Sequence, residues 1–173
     1  MAKNVSTVFK KKATETFQFT DAEFEQLGFK LKDAIDQAFG RSLAIRELDS
    51  GSDNSTEIGL VNLTAPHYDV ERFGISFVAS PRHADMLIVT GAVTRNMEIA
   101  AKKTYEAMPA PKFVVAVGDD ACGCGIQNES YAVLGGAGKI LPVDLKIPGN
   151  PPTPKEILKG LLAFLAEIKK QKK

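Results

Sequence analysis

The stretch Lys112-Phe-Val-Val-Ala-Val-Gly-Asp-Asp-Ala-Cys-Gly-Cys-Gly-Ile126 leaves this chain few folds to choose from. Its short, valine-rich apolar run has the character of a strand buried on both faces, which occurs in parallel sheets covered by helices. The run breaks into a loop holding Gly118, Gly123 and Gly125, the adjacent acids Asp119 and Asp120, and the only two cysteines, Cys122 and Cys124. In open α/β sheets, ligands sit beyond the carboxyl ends of the strands, where loops reach them without disturbing the core. Segments 51–57, 90–94 and 147–153 have the same look of leaving a strand or entering a helix. In a doubly wound sheet these loops converge on one rim. That rim is the candidate site.

The remaining elements follow from period and punctuation. Thr20-Asp-Ala-Glu23 has the spacing of a capping box, with Phe19 and Phe24 placed as its hydrophobic staple. Phe24, Leu27, Leu31, Ala34, Ile35 and Ala38 keep one helical face apolar until Gly40 ends the helix. Strands are expected over 42–49, 73–80, 85–90 and 112–117, with a short fifth over 139–144 confined to an edge by Pro142. Residues 65–72 are a polar connector. Helices are expected over 55–63 and from a Thr94 cap to about Met108, with a helical turn over 131–136. Met97, Ala100, Ala101 and Tyr105 would form the inner face of the second of these. Thr153-Pro-Lys-Glu156 is another capping box, opening a terminal helix whose stripe is Ile157, Leu158, Leu161, Leu162, Leu165 and Ile168. Residues 1–19 show no period and form an N-terminal arm, and residues 20–173 form a single domain.

Composition excludes several function classes. A formal net charge of +1 in 173 residues argues against a nucleic-acid partner. No apolar run approaches the roughly 18–20 residues of a membrane span, and the N-terminus lacks a signal-peptide core. Two cysteines separated by one glycine suit a reducing, cytoplasmic compartment.

Read in order, several motifs resemble a known family: Glu47-Leu-Asp-Ser-Gly-Ser-Asp-Asn-Ser-Thr-Glu-Ile58, Arg72-Phe-Gly-Ile75, Ala79-Ser-Pro-Arg-His-Ala-Asp85, Val89-Thr-Gly-Ala-Val-Thr94, Met108-Pro-Ala-Pro-Lys112, Val117-Gly-Asp119, Leu141-Pro-Val-Asp144 and Ile147-Pro-Gly-Asn-Pro-Pro152. Together they are similar to the 20 kDa electron-transfer subunit of respiratory complex I. They are closer still to the small subunits of membrane-bound group 4 NiFe hydrogenases and formate hydrogenlyases. The resemblance covers the chain from about Gly40 to the end of the terminal helix. It implies a flavodoxin-like α/β domain, a mainly parallel sheet of four or five strands with helices on both faces, burying one 4Fe–4S cluster against a large catalytic subunit. It also implies membrane subunits as further partners and a peripheral place at the cytoplasmic membrane.

The ligands depart from that pattern. The family holds its cluster with four cysteines, and the matching positions here are Asp53, Thr56, Asp120 and Asn150. Iron–sulfur clusters are held by thiolates, with histidine as the main substitute. Carboxylate, hydroxyl and amide oxygens suit magnesium or calcium better. The motifs therefore imply a cluster subunit while the donor set argues that no cofactor is bound. A rebuilt site would draw on Cys122 and Cys124, with Asp53 and Asp120 completing a mixed set for iron or zinc. Alternatively, the two cysteines are small loop residues. Arg82 occupies a position that lies near the cluster in the related subunits, and is expected either to pair with Asp53 or Asp120 or to stand on the surface. Those two carboxylates are expected to face each other, which would raise one of their pKa values. Glu57 is expected to cap a helix or touch the partner. Tyr68, Ile126 and Tyr131 are expected on a partner-facing surface. His67 and His83 lack a partner at ligand spacing, and no triad, P-loop or dinucleotide fingerprint assigns a catalytic residue.

Overall fold

A computed structural model describes residues 21–171, with strands β1 Leu43–Asp49, β2 Ile75–Phe77, β3 Met86–Thr90, β4 Val93–Thr94, β5 Phe113–Val117, β6 Val133–Gly135 and β7 Leu145–Ile147. The helices are α1 Ala22–Phe39, α2 Ser55–Thr64, α3 Glu98–Ala107, α4 Asp119–Cys122 and α5 Pro154–Gln171. The arm 1–19, the Thr20 hydroxyl and the Phe19 staple lie outside the described residues.

Five strands form one sheet in the order β2-β1-β3-β5-β7, and every neighbouring pair is parallel. Counted along the chain, that is the order 2-1-3-4-5 of flavodoxin-like sheets, whose switch point falls between β1 and β3. Strand alternation divides the core in two. Ile45, Met86, Ile88, Val115 and Val117 meet α1, α2 and α5 on one face. Leu48, Leu87, Val89, Val114 and Ala116 meet α3 and α4 on the other. All five residues of β3 are buried, because this strand is central and covered from both sides.

Caps and glycines fix the ends of the helices. At α1 the cap is Asp21: one carboxylate oxygen accepts the N–H groups of Glu23 at 3.1 Å and Phe24 at 3.3 Å. Gly40 closes α1 at φ 65°, its N–H donating to the Asp36 carbonyl. The second capping box forms as expected: a Glu156 carboxylate oxygen accepts from the Thr153 N–H and hydroxyl, each at 2.7 Å. Those bonds hold the Glu156 pKa below its usual value.

Four local expectations are corrected. β2 begins at Ile75, because Val70–Phe73 winds into a 3-10 turn that buries Phe73. Thr94 does not cap α3; it lies in β4, its N–H and hydroxyl donate to the Ser50 carbonyl, and the helix starts four residues later. Ala100 is correspondingly exposed. Residues 133–135 form β6, antiparallel to β4, in place of a helical turn. The fifth strand of the sheet is Leu145–Ile147, just beyond the expected 139–144, because Pro142 keeps its segment out of the ladder and pairing starts only after the Asp144 N–H donates to the Val114 carbonyl.

Candidate functional site

Because every strand of the sheet runs the same way, the segments after β1, β3, β5 and β7 leave at one rim. The protein's own hydrogen bonds tie them together. The Ser50 N–H and hydroxyl both donate to the Thr90 carbonyl, at 3.0 and 2.8 Å. The Gly118 N–H donates to the Ile147 carbonyl at 2.9 Å. Asp119 joins the β5 and β7 loops twice: its N–H donates to the Gly149 carbonyl at 2.9 Å, and its carboxylate accepts the Gly149 N–H at 2.8 Å. The Asp119 carbonyl also accepts from the N–H groups of Gly123, Cys124 and Gly125. This aspartate is the knot of the rim.

Close backbone approach completes it. At Gly91, φ is 69° and a side-chain carbon would stand 2.5 Å from the Ser52 nitrogen, so the β1 and β3 loops touch only because glycine is there. A carbon on Gly118 would stand 2.6 Å from the Thr56 hydroxyl, which places Thr56 against the end of β5. Thr56 is buried on the first turn of α2. The loops carrying Thr56, Asp120 and Asn150 are thus in mutual contact, and Asp53 lies three residues before Thr56.

Each carboxylate nonetheless spends its hydrogen bonds within its own loop. Asp53 accepts from the Ser55 hydroxyl at 2.5 Å and from the Ser55 N–H at 2.9 Å, and these bonds hold its pKa below the usual carboxylate value. Asp120 accepts the Gln127 N–H at 3.4 Å and lies under Gly125. No hydrogen bond links either carboxylate to the other's loop, and the Asp53 pKa is lowered rather than raised. Arg82 makes no ion pair with either acid: it stands exposed on the 3-10 turn Pro81–His83, and its N–H donates to the Ser80 hydroxyl. That turn leads into the amino end of β3, whereas the rim lies at the carboxyl ends. At about 3.3 Å per residue, the five residues of β3 separate the two ends by roughly 16 Å.

The thiols follow the same pattern. Cys122 is half-buried, and its Sγ lies 3.6 Å from the Ala116 carbonyl oxygen. Burial, reinforced by the neighbouring Cys124, pushes its pKa up to about 11. Cys124 is exposed, and its Sγ lies 3.4 Å from the Asp119 carbonyl oxygen. Among the described residues, no group of three or more His, Cys, Asp and Glu side chains is arranged to hold a metal ion. A 4Fe–4S cluster needs thiolates, and the four positions supply oxygen donors, so the residues present do not fit that group.

Ile126 and Tyr131 are each 91% exposed, as expected of a partner-facing surface. Tyr68 is not: its ring packs 4.9 Å from that of Phe24. Glu57 caps nothing; it is 8% exposed, and neither carboxylate oxygen has a hydrogen-bond partner. Near it on β1 stand Arg46 and Glu47, which the sequence reading did not single out. Two adjacent charges between Ile45 and Leu48, inside the strand, are the signal that marks them.

The sequence profile described as "NADH ubiquinone oxidoreductase, 20 Kd subunit" matches residues 54–164. The chain is 41% identical over 143 residues to "Formate hydrogenlyase subunit 7" of Escherichia coli, covering 82% of this chain and 55% of that protein, little more than half its length. It is also 41% identical over 131 residues to "Probable membrane-bound hydrogenase subunit mbhJ" of Pyrococcus furiosus, covering 76% of this chain and 78% of that one. Among solved structures, a chain of the membrane-bound sulfane sulfur reductase, an archaeal respiratory membrane complex, superposes with a TM-score of 0.68 at 30% identity, over 82% of this chain and 77% of its own. The chain belongs to the family of the NADH:ubiquinone oxidoreductase 20 kDa subunit.

Proposed function

We propose that this chain is the small subunit of a membrane-associated hydrogenase-like or NADH:quinone oxidoreductase-like complex, kept as a structural and assembly component rather than as an electron carrier. The observation carrying the reading is the rim itself. Asp119, Gly149, Ser50 and Thr90 hold it together by protein hydrogen bonds, while the four family ligand positions, Asp53, Thr56, Asp120 and Asn150, offer oxygen donors in place of thiolates. Its partners are a large catalytic subunit, which covers the exposed Ile126 and Tyr131, and the membrane subunits of the same complex. Those partners keep the chain at the cytoplasmic face of the membrane. Among the described residues, no helix is long and apolar enough to cross one.

A second reading keeps an electron-transfer role, with a site rebuilt on Cys122 and Cys124. Its support is that both thiols are free and stand in the same loop as Asp120. The high pKa of Cys122 opposes it, since the thiolate is the ligand. Purification of the tagged chain from its native host tests the complex: the large and membrane subunits should co-purify in fixed ratio. A monodisperse monomer would refute it.

A further inference from the structure

We infer that the groove between α2 and the open end of β1 receives an extended segment of a partner protein, whose basic side chain pairs with Glu57 and Glu47. This rests on the reading of the chain as a subunit of a larger complex.

The pairing of β1 is asymmetric. With β2 it stops at Ile45 opposite Phe77, but with β3 it continues to Asp49 opposite Thr90. From Arg46 to Asp49, the β2 side of β1 therefore has no strand beside it among the described residues. Such an edge is a template for an added strand. Over it opens a groove of about 290 Å³, lined by Arg46, Glu47, Leu60, Val61, Phe77 and Val78.

The acidic end of the groove is built by α2. Leu60, Val61 and Thr64 of α2 line the groove, and Glu57 stands one turn before them on the same helical stripe, so it flanks the end of the groove. It lies close enough to Glu47 to be felt there: burial and then the Glu57 charge raise the Glu47 pKa. Glu57 is more than nine-tenths buried, with both oxygens unpartnered. A buried carboxylate left in that state is costly unless a cation and hydrogen bonds meet it. Arg46 does not supply them, since its own buried Nε is also without a partner. Two carboxylates against one guanidinium leave the groove short of positive charge. Its outer wall is apolar at Val61, which is 66% exposed. Apolar wall, open strand edge and unmatched acid together fit an extended segment with one arginine or lysine at its centre.

The test uses the full chain and the purified large catalytic subunit of the complex. Glu57→Gln keeps the shape and removes the charge, and Glu47→Gln serves as a second variant. Each should weaken binding roughly tenfold or more, because it strands the partner's cation. Glu57→Gln should at the same time leave the isolated chain at least as heat-stable as the parent, which separates a docking role from a folding role. Hydrogen exchange at the Glu47 and Asp49 amides, which point away from β3, should slow when the large subunit is added. Unchanged affinity in both variants, or exchange at Glu47 and Asp49 as fast in the complex as alone, would overturn the inference and leave the complex reading standing. Failure of the parent chain to bind would overturn both. A self-associated chain dissociated by Glu57→Gln would assign the groove to a second copy and overturn the proposal.

Discussion

Asp119 and Glu47 show how single side chains at this rim are used in opposite ways. Asp119 is satisfied: its carboxylate holds the Gly149 N–H and its carbonyl collects three more. Asp119→Ala should cost about 1.5–3 kcal/mol in urea unfolding, the value of a hydrogen bond to a charged acceptor, and should loosen the 148–152 turn. Glu47 is strained by burial, and its folded pKa lies above the ordinary 4.5. A carboxyl with a raised folded pKa contributes stability below its unfolded pKa and loses that contribution as pH rises through the folded value. Glu47→Gln should therefore melt higher than the parent at neutral pH, and its advantage should vanish below about pH 4.5. Equal melting at both values would remove Glu47 from this role. At this scale the sequence was only partly legible. Asp53, Thr56, Asp120 and Asn150 could be named from motif positions. That Asp53 turns onto Ser55 and Asp120 toward Gln127 could not be, because local carboxylate–amide bonds compete with long-range pairing in ways that spacing does not reveal.

Elements with a strong apolar period were read correctly, and those made by tertiary contact were not. α1 and α5 announce themselves by apolar stripes, and they pack on each other with Asp21 and Glu23 facing Lys155 and Lys159. β4 and β6 have two and three residues, too few for any pattern, and exist because each meets the other. α1 also depends on a glycine that its sequence pattern makes look expendable. A side-chain carbon on Gly28 would stand 2.3 Å from the fully buried Phe73 ring. Gly28→Ala should therefore destabilise the domain by roughly 1–3 kcal/mol, because overpacking outweighs the gain in helix propensity of about 1 kcal/mol. A thermal melt showing stabilisation would mean that Phe73 moves aside freely.

At the scale of the whole molecule, the parallel sheet and the single rim were legible, since valine-rich runs separated by helices leave few topologies. The groove beside β1 was not, because it depends on β2 stopping at Phe77, a boundary that the apolar run over 73–80 does not mark. Hydrogen bonds and glycine contacts hold the rim loops together with no thiolate at the positions where the family resemblance places ligands. The most direct measurement is iron and acid-labile sulfide, with the visible spectrum, on the chain purified anaerobically within its complex. Iron attributable to this chain should stand well below one atom per chain, with no change when Cys122 and Cys124 are both replaced by serine. About four irons and four sulfides per chain, lost in the double serine variant, would contradict it and establish a cluster rebuilt on those two cysteines.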